Sequence, residues 1–190
     1  MSVMKLFHTG YQAIDRPDIR IGCKNADFGQ GFYLSDNEEF SRRWARQRRG
    51  YTTYLNSYEL ETEGLKFKHF AKDEEWFSYI FSNRMNAPDQ LAEYDVIIGP
   101  IANDTIYDTY GILTSGFMKT EEALAVLKLG NTYEQIVIKT QKAADSLTFI
   151  KADILDPDEI ASYRKIVQAE EERFQEDFAK LFEEMDHSVI

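Results

Sequence analysis

The chain has 190 residues and a formal net charge of −11, and 43% of its residues are hydrophobic while 29% are charged. This composition predicts a soluble globular protein, and the negative charge argues against general nucleic-acid binding or a polybasic membrane surface. One cysteine excludes an internal disulfide, and three histidines far apart in the sequence argue against a metal centre. No apolar run approaches 20 residues and no signal-peptide pattern is present, so we expect a cytoplasmic protein without a bound metal or a membrane contact.

Residue periodicity and capping residues predict short strands and helices along the whole chain. Strands are expected at 3–8, 32–34, 51–60, 65–70, 96–98, 135–139 and 147–150. Helices are expected at 35–49, from Asp73, at 120–129, at 142–146 and from Asp156 for about 30 residues. Segment 101–118 gives no clear pattern. Because strands and helices do not alternate regularly, the fold class is predicted to be α+β.

Local sequence signals place several of these helix ends. Ser35 with Glu38 forms a capping-box pattern, and Gly130 stands where a helix commonly ends. Asp156 followed by Pro157 is a strong helix start. From residue 153 onward twelve acidic residues face four basic ones. We therefore divide the chain into a domain at 1–151 and an acidic amphipathic helix at 152–190, which either folds back or docks a partner helix or a second copy of the chain.

Three segments carry residues suited to chemistry. The first is Phe7-His8-Thr9-Gly10, a histidine at a strand end followed by glycine. The second runs from Gly29 to Ser35 and reads Gly-Gln-Gly-Phe-Tyr-Leu-Ser, with Ser41 and Trp44 after it. The third, from Tyr133 to Ile138, places polar groups at the start of an apolar strand.

Together these segments resemble the ADP-ribosyltransferase superfamily, in its branch with a His-Tyr-Glu triad on three separated strands. The chain resembles most closely a bacterial domain family of unknown function assigned to that superfamily. The resemblance covers roughly residues 4–151. It is carried by Asp27-Phe28-Gly29-x-Gly31-Phe32-Tyr33, by Trp44-Ala45, by Trp76 with Asn83-Arg84, and by the segment from Asp95 to Pro100. It implies a split β-sheet core with peripheral helices.

The resemblance also implies roles in binding and cleaving NAD+. His8 would bond the adenosine-side ribose, and Tyr33 and Trp44 would hold the nicotinamide ring between them by stacking. Backbone groups at Thr9 or Gly10 would meet the carboxamide. The remaining contacts would come from Ser41 and from Gly31, whose backbone could approach the ligand closely.

The third segment leaves the triad acid open between two neighbours. Aligned on the Ile-Val that follows, Glu134 takes the place of the acid, whereas the pattern of the bacterial family favours Gln135. Neighbouring residues of a strand point to opposite faces, so only one of them can reach the ligand. We favour Gln135. Its neutral amide accepts the same hydrogen bond from the 2′-hydroxyl with less electrostatic help, and Asp27 could then contribute.

The only basic cluster consists of Arg42, Arg43, Arg46, Arg48 and Arg49. It could bind the pyrophosphate of NAD+ or a nucleic acid. A solvated helix face that pairs with acidic neighbours explains the cluster as well, and we favour that interpretation.

The leading hypothesis is an NAD+-dependent ADP-ribosyltransferase or NAD+ glycohydrolase. Its acceptor is unknown, and the resemblance implies a toxin–antitoxin or phage-defence role with a possible antitoxin partner. The alternatives are a catalytically inactive binding or assembly module and, more weakly, a 2′-phosphotransferase acting on RNA.

Overall fold

The computed structural model describes residues 2–102, 125, 126, 129 and 133–187. The helix predicted at 120–129, its end at Gly130 and the segment 101–118 lie outside the described residues, apart from 101, 102, 125, 126 and 129. The strands are β1 (Val3–Gly10), β2 (Phe32–Leu34), β3 (Tyr54–Glu61), β4 (Phe67–His69), β5 (Val96–Pro100), β6 (Glu134–Ile138) and β7 (Leu147–Ile154). The helices are α1 (Glu38–Arg43), α2 (Glu74–Arg84), α3 (Gln141–Asp145) and α4 (Pro157–His187).

The described strands form two sheets, so the chain is α+β. One sheet has the order β1-β3-β7 and is antiparallel. The other has the order β2-β6-β5-β4, with only the β4–β5 pair parallel. A pair of backbone hydrogen bonds between Phe7 and Ser35 joins β1 to the end of β2, at N···O distances of 2.8 and 3.0 Å. This junction brings the predicted histidine and tyrosine segments next to each other.

Three apolar layers hold these elements together, and each buries one face of a sheet. The layer between the two sheets is formed by side chains such as Leu6, Tyr58 and Ile136. A second layer packs α2 against the other face of the β2-β6-β5-β4 sheet, with Trp76 fully buried there. The third places Ile160 of α4 under the β1-β3-β7 sheet. Strands buried on both faces explain the continuous apolar run in β5.

Several helix and strand ends differ from the sequence expectation. The first helix was expected at 35–49, but α1 ends at Arg43 and Asn37 caps it by accepting a hydrogen bond from the Phe40 amide. Ser35 instead accepts from the Asn37 amide and lies two residues before the residue that caps the helix. The backbone of residue 46 bonds the Thr53 hydroxyl, which holds the chain after α1 outside a helix. The expected break of β5 at Gly99 is also wrong, because Gly99 and Pro100 pair with β6.

The long C-terminal helix agrees with its sequence signals. Asp156 accepts a hydrogen bond from the Asp158 amide at 2.8 Å, and the helix runs for 31 residues. Its stripe of buried and half-buried residues recurs at helical spacing and includes Ile160, Tyr163, Val167, Glu170, Phe174, Phe178 and Leu181. Within the described residues, no helix combines the length and apolar character that crossing a membrane would require.

Candidate functional site

The His8 imidazole is fixed by the strand beside it. Its Nδ1 donates a hydrogen bond to the backbone carbonyl of Tyr33 at 2.8 Å, and its ring packs against Phe32 with 4.7 Å between centroids. Because a carbonyl only accepts, Nδ1 carries the proton, and Nε2 of the neutral ring is left as an acceptor. A Cβ added at Gly10 would lie 3.2 Å from Nε2. Gly10 therefore keeps the space beside this nitrogen open.

The loop after β1 is held in place by a buried residue of β3 that we did not single out from the sequence. Asn56 is completely buried. Its side-chain oxygen accepts from the Ile14 amide at 2.8 Å, and its side-chain nitrogen donates to the Gln12 carbonyl at 3.1 Å. A lone asparagine in a Tyr-rich strand gives no sequence signal for this role, because its partners lie more than 40 residues away.

The Tyr33 phenol bonds the glycine segment that precedes it. Its hydroxyl donates to the Gly29 carbonyl at 2.7 Å and accepts from the Phe28 amide at 3.0 Å. Burial raises the pKa of Tyr33 well above its ordinary value. Gly29 has a φ of +71°, a conformation that residues with a Cβ rarely adopt. The tight turn at Gly29 thus positions the phenol.

Strand pairing decides which third-segment side chain shares a face with Tyr33. Tyr33 lies directly opposite Val137 on β6, so the two side chains are on one face. Gln135 is two residues from Val137 and points the same way. Its Nε2 donates to the Asp27 carboxylate at 3.2 Å, one residue from the segment that binds the phenol.

Glu134 lies on the opposite face of β6. Its Oε1 is 2.8 Å from His69 Nε2, and the side chains of Glu134 and His69 are 38% and 60% exposed. A carboxylate in this position is engaged with a solvent-exposed imidazole on β4. The structure therefore brings Tyr33 and Gln135 together on the face of the sheet that α2 covers. Glu134 lies on the face toward the other sheet, where the His8 ring packs against Phe32.

Asp27 is the centre of a polar cluster that also contains Asn83, Arg84 and Gln135. Arg84 donates to Oδ1 of Asp27 from Nε and Nη2, at 2.8 and 2.5 Å. Asn83 donates to the Asp27 carbonyl at 3.1 Å. The side chains of Arg84 and Asp27 are only 8% and 13% exposed. The Asn83-Arg84 pair, for which we predicted no role from the sequence, thus lies against Asp27.

Ser41 lies inside α1, and Trp44 directly follows the last residue of that helix. Ser41 is buried and donates to the Phe7 carbonyl at 3.4 Å. Trp44 is 51% exposed and meets Phe40 edge to face. Trp44 is therefore not a core anchor.

Thr9 and Gly31 occupy different surroundings. Thr9 is half-buried in β1, opposite Leu55. A Cβ at Gly31 would lie 2.6 Å from a Val137 methyl and 2.7 Å from the Ile138 carbonyl. The close approach at Gly31 is thus made by β6 of the protein itself, and a side chain there would disturb the pairing that aligns Tyr33 with Gln135.

Two arginines of the basic cluster are occupied by acidic residues. Arg42 pairs with Glu159 at 2.7 Å, and Arg43 pairs with Glu170 at 2.6 Å, so both link α1 to α4. Arg43 also donates to the Tyr133 hydroxyl at 2.8 Å. These contacts agree with the expected pairing to acidic neighbours, but the Arg42 and Arg43 side chains are only 22% and 15% exposed. They join two helices and do not form a solvated face.

A cavity of about 360 Å³ lies beside Gly29, and Asn83 and Asp89 also line it. Lys139 lines it, is 4% exposed at its side chain, and contacts the Phe28 carbonyl and, at 2.9 Å, Asp89. Burial alone would raise the pKa of Asp89, but hydrogen bonds from Lys139 and from the Leu91 amide lower it overall. A lysine at the end of an apolar strand is the only local sign of this buried ion pair.

We expect the stability of the protein to fall between pH 7 and pH 5 through His8. Burial lowers the pKa of His8 below its ordinary value of 6.5. The unfolded chain therefore binds a proton that the folded protein does not, so stability is full above the unfolded pKa and declines as pH drops below it. Urea unfolding at pH 7 and pH 5 should show a smaller loss in His8→Gln than in the unaltered protein. His69→Gln, at an exposed histidine, is the control; equal losses in all three proteins would contradict the assignment.

Comparison with known proteins gives one match. Residues 4–149 match the model of a family described as a protein of unknown function (DUF3990). No curated protein and no solved structure matches the chain. The matched range contains all the candidate site residues and ends before α4. Because it covers well over half of the sequence, this chain belongs to the DUF3990 family.

Proposed function

We propose that this protein binds NAD+ and breaks the bond between nicotinamide and ribose, passing ADP-ribose to a macromolecule or to water. The observation that carries the proposal is the placement of Tyr33 and Gln135 on one face of neighbouring strands, with His8 bonded to the Tyr33 carbonyl. His8, Tyr33 and Gln135 stand at the three positions of the His-Tyr-Glu triad in the superfamily that the sequence resembles.

The reaction requires binding and charge stabilisation more than proton transfer to the leaving group. The electron pair of the C1′–N bond leaves with nicotinamide, which departs as a neutral base, and C1′ becomes cationic. An acceptor oxygen or nitrogen then bonds C1′ and loses its proton to solvent. A site that stabilises the positive charge and orients the ribose lowers the barrier.

The residues of the site suit these tasks. Gln135 Oε1 would accept from the 2′-hydroxyl of the nicotinamide ribose, and His8 Nε2 is an acceptor suited to a hydroxyl of the other ribose. Tyr33 and the exposed Trp44 ring would contact the nicotinamide ring. Gly10 leaves room beside His8 Nε2 for the ligand.

A second candidate function is favoured by one feature of the same site. The side chain that shares a face with Tyr33 is a neutral amide, whereas the carboxylate of Glu134 is engaged by His69 on the other face. Such a site binds the dinucleotide but gives weaker help to a developing cation. This second function is a binding or assembly module that does not cleave NAD+.

Trp44→Ala tests the proposal at a residue whose loss should not affect folding. Because stacking of an aromatic ring on a base contributes about 1–3 kcal/mol, we expect NAD+ binding to weaken roughly 5- to 150-fold. The measurements are the thermal shift with NAD+ and the release of nicotinamide. The control is Val3→Ala, at a similarly exposed apolar residue. Val3 lies at the end of β1 that is away from His8.

Each outcome has a distinct meaning. Nicotinamide release that falls in Trp44→Ala and not in Val3→Ala supports the enzyme, and a thermal shift without release supports the binding module. The absence of both a shift and release in the unaltered protein would refute the NAD+ proposal.

A further inference from the structure

Among the described residues, four hydrogen bonds are donated to the carboxylate of Asp27. Oδ1 accepts twice from Arg84, and Oδ2 accepts from Gln135 Nε2 at 3.2 Å and from the Ala102 amide at 3.3 Å. Arg84 neutralises the charge of Asp27 inside the fold, and Asn83 fixes the backbone of Asp27 through its carbonyl. Asp27 is thus held firmly beside the side chain of Gln135.

This contact determines the orientation of the Gln135 amide. A carboxylate has lone pairs and no proton to donate, so the end of the amide that faces it must be the NH₂ group. Turning the amide over would place Oε1 against Oδ2 and lose the hydrogen bond. The other end of the side chain is therefore the oxygen, which can only accept, and none of the described residues donates to it.

We propose that Asp27 is a positioning residue that holds Gln135 with its carbonyl oxygen free, so that the site selects a ligand presenting a hydroxyl donor. The identification of that donor as the 2′-hydroxyl of the nicotinamide ribose rests on the proposed function. The same contact accounts for an amide at position 135. A glutamate there would place two carboxylates about as close as the present hydrogen bond, and like charges at that distance repel.

The ligand test compares two stable analogues. The first is carba-NAD+, in which carbon replaces the ring oxygen of the nicotinamide ribose so that the bond is not cleaved, and the second is the same molecule without its 2′-hydroxyl. We expect the unaltered protein to bind the first roughly 10-fold more tightly, as one satisfied hydrogen bond predicts.

In Asp27→Asn the neighbouring amide can donate or accept, so Gln135 loses its fixed orientation. The preference is then expected to fall below about 3-fold. A preference that persists at 10-fold in Asp27→Asn would overturn the positioning role, because a purely structural effect weakens both analogues equally. If neither analogue binds the unaltered protein, the proposed function fails while the orientation of Gln135 is judged by the next measurement.

The second test needs no ligand and leaves the Asp27–Arg84 pair intact. Gln135→Glu places a carboxylate against Asp27, and we expect the melting temperature at pH 7 to drop by about 4 °C or more. The drop should shrink at pH 4, where the carboxyls begin to take up protons. The matched control is Glu134→Gln on the opposite face, with a change of at most about 2 °C. A Gln135→Glu variant as stable as the control at pH 7 would refute the proposed contact.

Discussion

Gln135→Ala is expected to release nicotinamide from NAD+ at least about 100-fold more slowly than the unaltered protein, and Glu134→Ala should stay within about 3-fold of it. The reason is the strand register. Gln135 shares the face of Tyr33, and removing a group that stabilises the transition state costs two to three orders of magnitude in rate. Glu134 lies on the other face beside His69.

The measurement is the initial rate of nicotinamide release with saturating NAD+, accompanied by the melting temperature of each variant. Gln135→Asn is a useful companion, because it keeps an amide but withdraws it by one methylene. A large loss in Glu134→Ala with little loss in Gln135→Ala would show that the acid, and not the amide, serves the reaction. That result would contradict the assignment of the site to the Tyr33 face.

Arg84→Met is expected to lower the free energy of unfolding by roughly 3–5 kcal/mol, because it leaves the Asp27 carboxylate buried without its counter-charge. The pair is only 8% and 13% exposed, and two hydrogen bonds join the guanidinium to Oδ1. Methionine fills a similar volume, so the loss reports the missing charge more than a cavity.

Urea unfolding at pH 7 measures this loss. The matched control is Arg20→Met, which breaks an ion pair with Asp18 at 2.8 Å in which the arginine side chain is 82% exposed. Exposed pairs contribute at most about 1 kcal/mol, so the control should change little. Equal losses in the two variants would mean that the Asp27–Arg84 pair does not support the fold. Partial recovery in Asp27→Asn/Arg84→Met would show that the uncompensated charge was the cause.

Some features of the fold could be predicted because their causes are local. Asp73 caps α2 through its own side chain, accepting from the Trp76 amide three residues on, and Asp156 begins α4 in the same way. The alternation in β1 puts Met4, Leu6 and His8 on one face of the strand, and Leu6 is fully buried there. The end of α1 could not be read in this manner, since the chain after it is held by Thr53, which belongs to a later segment.

The candidate site also combines features with local causes and features that depend on distant residues. The sequence alone determined the residue types and their order: a histidine ending a strand, a tyrosine after paired glycines, and two polar neighbours heading an apolar strand. The choice between Glu134 and Gln135 was decided only by the pairing of β2 with β6, because a shift of one residue would exchange the two faces. Arg84 reached Asp27 across 57 positions. Contacts over such distances depend on how the sheets and α2 pack, and no local pattern of residues encodes that packing.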